Sequence, residues 1–177
     1  MQRAESRGQR AERGFTIAEL VTVVAIIAIL AATALPVARF SLRRQREIEL
    51  RERLRKITYA IDRYHDLLGM ANLPNATVRP AQQQALGADG YPKDFDELLA
   101  GVTMSDGKVV RLIRERDLID PMTGRKEWIV QSTKDDPESP SQDTCEVGGS
   151  CLAENLYEVH STSTATALDG KTHYNEW

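Results

Sequence analysis

RGFTIAELVTVVAIIAIL, residues 13 to 30, decides how the rest of the chain is read. From Phe15 to Ala38 the only charged side chain is Glu19. A helix of that length spans about 36 Å, and a hydrocarbon core is about 30 Å thick. The run is therefore long enough to cross a membrane with some tilt, and it exceeds the roughly 7 to 15 apolar residues of a removable signal peptide. A membrane anchor is the preferred reading. The alternative is secretion, since Ala32-Thr33-Ala34 has the small residues that precede a signal-peptidase cut, leaving a soluble chain from Leu35.

Glu19 is the exception within the run. A carboxylate well inside a bilayer costs roughly 2.5 to 3.5 kcal/mol; four residues from the start of the apolar run it lies only about 6 Å deep, where the cost is smaller. An interfacial position without consequence is the bland reading. The functional reading needs a partner, and the preceding residues supply one. Arg13-Gly14-Phe15-Thr16 places a small residue behind a basic leader carrying Arg3, Arg7, Arg10 and Arg13, a suitable site for a peptidase facing the cytoplasm. Cutting between Gly14 and Phe15 exposes an α-amine with a pKa of about 7.7 to 8, mostly cationic at neutral pH. The geometry for pairing it with Glu19 is poor within one helix and good between neighbouring helices staggered by a few residues. Glu19 then favours assembly in a defined register.

Pro36 removes one helical hydrogen bond and is expected to bend or locally open the helix. Beyond it, Leu50, Leu54, Ile57, Ile61, Tyr64 and Leu68 recur at spacings of four and three, one apolar stripe on an otherwise charged helix. The stripe lasts under three heptads, so packing on the chain's own globular part is preferred over a coiled coil. With Gly69 as its stop, a helix from Phe15 to Leu68 is about 80 Å long. Asn72, Pro74, Asn75 and Pro80 mark a surface connection up to Pro92. Asp94 and Glu97 then form a capping-box-like start to a short helix over Phe95 to Leu99, closed by Gly101. Three β-like runs follow, Lys108 to Ile113, Glu127 to Gln131 and Leu156 to His160, separated by turn residues. The predicted fold class is α+β: a long N-terminal helix packed on an antiparallel sheet of about three strands. The predicted organisation is a removed leader over 1–14, a transmembrane and assembly helix over 15–38, an amphipathic continuation over 39–68, and a globular head over 69–177.

Charge is unevenly placed. The net charge is −3, yet residues 39–56 hold eight Lys or Arg against three Glu, and residues 135–158 are mostly acidic. Counting Lys and Arg around the span puts the C-terminal part inside the cell. Cys145 and Cys151 argue the other way, because their spacing in a Gly/Ser-containing loop closes easily into a disulfide in an oxidising compartment; two reduced thiols are the alternative.

Gly14-Phe15-Thr16-Ile17-Ala18-Glu19-Leu20, followed by the apolar run with Pro36, closely resembles the prepilin N-terminus shared by type IV pilins and type II secretion pseudopilins. Ile17-Ala18 stands where Leu-Ile is commoner. The resemblance implies cleavage after Gly14 by a prepilin peptidase and N-methylation of Phe15. It implies an inner-membrane subunit with a cytoplasmic leader and a periplasmic head, which reverses the orientation given by charge counting. It also implies extraction into a helical filament, with Glu19 pairing with a neighbouring subunit's N-terminus and Pro36 in the assembly helix. Partners would be other copies and other pseudopilins, an assembly platform with its cytoplasmic ATPase, and membrane lipid. The basic stretch from Arg39 to Lys56 would then face acidic lipid headgroups or acidic surfaces of adjacent heads.

Tyr91-Pro92-Lys93, the run Asp117 to Gly124, Leu168-Asp169-Gly170 and Trp177 look like elements of the major pseudopilin, protein G. The close cysteine pair departs from that pattern, and type IV pilins usually close a larger loop. Major pseudopilins also carry a calcium-stabilised loop. Asp135, Asp136, Glu138 and Asp143 offer oxygens that suit a hard cation, but Pro137 and Pro140 interrupt them, and a solvated acidic loop without a cofactor is preferred. His65, His160 and His173 are scattered and no catalytic motif is present, so an enzyme is not expected. Nucleic acid is not expected either, since the basic stretch lacks interleaved stacking aromatics and adjoins the membrane. The expected function is a secretion pseudopilin. The alternatives are a type IV pilin of a surface fibre and a non-assembling membrane-anchored binding domain.

Overall fold

The structure is a computed structural model that describes residues 14–69, 88–139 and 141–177. The leader up to Arg13, most of the connection with Asn72, Pro74, Asn75 and Pro80, and Pro140 lie outside the described residues. The chain divides into two units, Met1–Leu42 and Arg43–Trp177.

Helix α1 runs from Ile17 to Gly69 and contains Pro36 without interruption. In the first unit its side chains are exposed throughout, including Leu20, Ile26, Ile29 and Val37. This helix is long and apolar enough to cross a membrane. In the second unit the apolar stripe closes against the core: Leu50, Ile57, Ala60, Ile61, Tyr64, Leu67 and Leu68 are buried, with Leu54 packed beside them.

Helix α2 (Phe95–Ala100) begins on Asp94, whose side chain accepts the Glu97 amide. The reciprocal bond is shifted by one residue. The Glu97 carboxylate accepts from the Lys93 amide at 2.8 Å and from the Tyr64 hydroxyl at 3.3 Å, so the cap also ties α2 to α1. Burial, with Glu97 beside it, pushes the Tyr64 hydroxyl pKa far up and keeps it a donor. Gly101 ends the helix at φ 75°, donating its amide to the Glu97 carbonyl. A Cβ there would meet the Val110 carbonyl oxygen at 2.3 Å, so glycine is required for the close crossing as well as for the turn.

The sheets are antiparallel, as expected, but their membership differs from the predicted runs. Strand β3 (Glu127–Gln131) falls where predicted and is central, in the order β4-β3-β5. Its flanking strands are β4 (Thr144–Glu146) and β5 (Glu158–Ser161). The run predicted over Lys108 to Ile113 shortens to β2 (Val109–Val110), which pairs with β1 (Val102–Thr103) in a separate two-stranded ribbon. The run predicted from Leu156 starts later because the Leu156 amide is committed to the Pro92 carbonyl at 2.8 Å. Strand β4 replaces the missing third member. It is only three residues long, and its register, with Cys145 opposite Trp128, comes from its partner rather than from its own pattern.

Trp128 fills the centre of the second unit, fully buried, with its indole N–H donating to the Leu118 carbonyl at 2.9 Å. The Asp120 turn pins the neighbouring loop. Its buried carboxylate accepts from the Met122 amide and the Ser161 hydroxyl, each at 2.7 Å, while its carbonyl accepts the Gly124 amide. That accounts for an aspartate before Pro121 and a glycine at φ 72° at the end of the turn.

Candidate processing and assembly site

Helix α1 starts on Thr16. The Thr16 hydroxyl oxygen accepts the Glu19 amide at 3.2 Å, and the Thr16 carbonyl accepts the Leu20 amide at 3.1 Å, an N-cap that fixes where the helix begins. Thr16-Ile17-Ala18-Glu19 also has capping-box spacing, which offers a purely local explanation for Glu19. Only half of the box forms. The amide of Glu19 is used, whereas its carboxylate makes no hydrogen bond or ion pair among the described residues. The other hydroxyls of the apolar run are satisfied within the helix: Thr22 donates to the Ala18 carbonyl at 2.8 Å and Thr33 to the Leu30 carbonyl at 2.9 Å. Among the described polar side chains from Ile17 to Ala38, the Glu19 carboxylate alone has no partner within the chain.

Gly14 and Phe15 precede the helix and are exposed, Phe15 to 79%. Among the described residues a Cβ on Gly14 would meet nothing within 4 Å, so no described packing contact and no positive φ accounts for glycine there. Thus a bond flanked by a small residue, an exposed aromatic side chain and an unpaired carboxylate lie within one short segment at the head of an apolar helix. Thr16 also contributes to this segment, and its spacing from Glu19 is the sequence signal that marks it.

Residues 9–35 match the family model described as Prokaryotic N-terminal methylation motif. No curated protein and no solved structure matches the chain. The methylation motif covers Gly14, Phe15, Glu19 and most of the apolar run, and supports a pilin-like structural subunit. It implies processing by a prepilin peptidase and pilus-like polymerisation. Together with the one long apolar helix among the described residues, it fits a membrane-anchored, single-pass protein.

Other candidate residues lie in the second unit. Cys145 and Cys151 are joined by a disulfide that closes a hairpin on β4. The Glu146 amide donates to the Ser150 carbonyl inside the loop, and the Gly148 amide donates to Asp96 of α2. Removing the bond as Cys145→Ser with Cys151→Ser should cost about 2 kcal/mol, read as a lower urea midpoint for the second unit. The acidic stretch is held largely by its own loop. Asp135 accepts from the Ser132 amide and the Ser141 hydroxyl, Asp136 accepts from the Glu138 amide, and no metal-holding group of three or more His, Cys, Asp or Glu occurs among the described residues. His65 stacks on Tyr91 with ring centroids 4.5 Å apart, while the His160 and His173 rings contact the backbone carbonyls of Trp177 and Thr164.

The basic stretch is partly consumed inside this unit. Arg53 pairs with Asp117 and Glu49, Lys56 with Glu52, and the Arg51 guanidinium sits 4.2 Å from the centroid of the Trp177 ring. Glu47 is buried on the apolar face of α1, where it accepts from the Leu168 amide at 2.7 Å and the Tyr174 hydroxyl at 2.8 Å. Arg43 donates to the same hydroxyl at 3.2 Å. Glu47 precedes Leu50 by three residues, so extending the apolar stripe one turn back flags a charge on the buried face. Tyr174→Phe should cost roughly 1.5 to 3 kcal/mol because a buried carboxylate loses a donor, measured as a fall in the second unit's thermal midpoint.

Proposed function

We propose that this chain is a pseudopilin of a type II secretion system. It would be cut between Gly14 and Phe15, methylated on Phe15, held in the inner membrane with its head in the periplasm, and polymerised through α1 into a short filament that drives protein export. Its partners would be further copies, other pseudopilins and a platform powered by a cytoplasmic ATPase. The observation that carries the reading is the unpaired Glu19 carboxylate one turn into an apolar helix whose matched motif supports removal of the preceding leader. Removal creates the complementary charge, an α-amine at nearly the same depth.

The Asp120 turn and Tyr91-Pro92 support the secretion branch by their likeness to protein G. The disulfide between Cys145 and Cys151 favours a second reading, a type IV pilin of a surface fibre, because a disulfide is the commoner feature there. N-terminal mass spectrometry of the membrane-extracted protein should find methylated Phe15 as the first residue. An intact Met1, or a start at Leu35, would sink the proposal.

A further inference from the structure

An open groove of about 1180 Å³ lies in the second unit between the outer face of α1 and the segment after β2. Ile48 and Tyr59 line it and are 57% and 68% exposed, leaving apolar surface uncovered. Its carboxylates are already neutralised: Glu52 by Lys56, Asp117 by Arg53, and Glu115 by Lys126. Its arginines are not. Arg55, Arg111 and Arg114 are exposed along the same groove and have no carboxylate partner among the described residues.

The opposite charge lies elsewhere on the same unit. Residues 135–170 contain eight Asp or Glu and no Lys or Arg. Asp136, Glu138 and Glu146 are exposed and unpaired with any cation among the described residues. Leu152, in the disulfide-closed hairpin, is 69% exposed. None of these residues lines the groove.

We propose that the groove receives the acidic surface bearing Asp136, Glu138 and Leu152 of a second copy of this chain, with Arg111 and Arg114 facing Asp136 and Glu138 and the groove's apolar floor covering Leu152. A guanidinium fork matches a carboxylate bidentately, which suits arginine to this contact. Because the two surfaces differ, the contact is heterologous and can repeat from copy to copy, as an open helical polymer requires. The inference rests on the polymerising-subunit reading but concerns the head rather than the anchor.

The test uses the full chain in membranes. R111K/R114K preserves the charge while adding amines that a zero-length carbodiimide couples to carboxylates in contact. Copies labelled with different isotopes distinguish links between chains, and trypsin releases the acidic segment as one peptide, residues 135–171. The expected result is a link between copies from position 111 or 114 to that peptide, falling about tenfold with D136N/E138Q, equivalent to ~1.4 kcal/mol of docking free energy. The charge reversal R111E/R114E should likewise cut filament yield about tenfold, and D136K/E138K in the same chain should restore it. In chains that begin at Phe15 and assemble, links to another peptide, to another protein or to nothing overturn the docking and leave the pseudopilin reading intact. Chains that keep Met1 overturn that reading: links to the acidic peptide in them still sustain the docking, and their absence sinks both.

Discussion

Gly14→Val should leave the protein in the membrane with its leader still attached, lowering processing about a hundredfold. A Cβ at position 14 meets nothing within 4 Å among the described residues, so the substitution displaces no described neighbour. On the proposed reading its effect falls on the peptidase, which must bring its reacting groups against the bond between Gly14 and Phe15. A branched Cβ at that bond displaces the peptide, and a misplacement of about 1 Å can cost roughly 10²-fold in rate. Comparing initial processing rates of wild type and variant from the leader-bearing and mature masses is the check. Cleavage of the variant at the wild-type rate would remove Gly14 from the site.

The second large effect is expected at Glu19. Glu19→Gln and Glu19→Ala should be processed normally yet assemble at least about tenfold less well. The carboxylate makes no contact within the chain among the described residues, so its loss does not weaken the helix cap, which uses the Thr16 side chain and the Glu19 backbone amide. Losing it removes a charge-assisted bond to the new α-amine, worth roughly 1.5 to 3 kcal/mol. It also leaves that amine uncompensated in an apolar setting. Glutamine separates charge from shape: if it assembles as well as wild type, pairing by charge is not the reason for Glu19. Sedimentation of sheared filaments, measured beside N-terminal masses, distinguishes failed assembly from failed cleavage.

Both experiments concern a segment whose logic is local, and locality is what makes it legible in the amino-acid order. The apolar span, the proposed cut site and the unmatched carboxylate all lie within Gly14 to Ala38, where composition and neighbouring residues carry the information. Helix α1 is legible for the same reason, since its apolar stripe repeats at the helical period. The capped start of α2 and strand β3 also follow from short-range signals. Even there, the folded chain decides that only half of the Thr16–Glu19 box forms, a side-chain choice that spacing alone leaves open.

The second unit divides differently. Its α+β class, antiparallel pairing and short helix follow from turn residues and alternating runs. Which strands share a sheet does not: Val109 and Val110 pair with β1, and the three residues of β4 take their register from Trp128 and its neighbours. The clamp from Glu47 to Leu168 and Tyr174 joins positions more than a hundred residues apart, as does the bond between Arg43 and Tyr174. No window along the chain contains both ends of such a bond. The sequence by itself thus determined the apolar span, its methylation motif and the buried face of α1, because those depend on hydrophobicity, chain stiffness and near neighbours. Only tertiary structure decided the sheet membership, the burial of Glu47 and the separation of unpaired arginines from unpaired carboxylates, because each depends on which distant surfaces the folded core brings together.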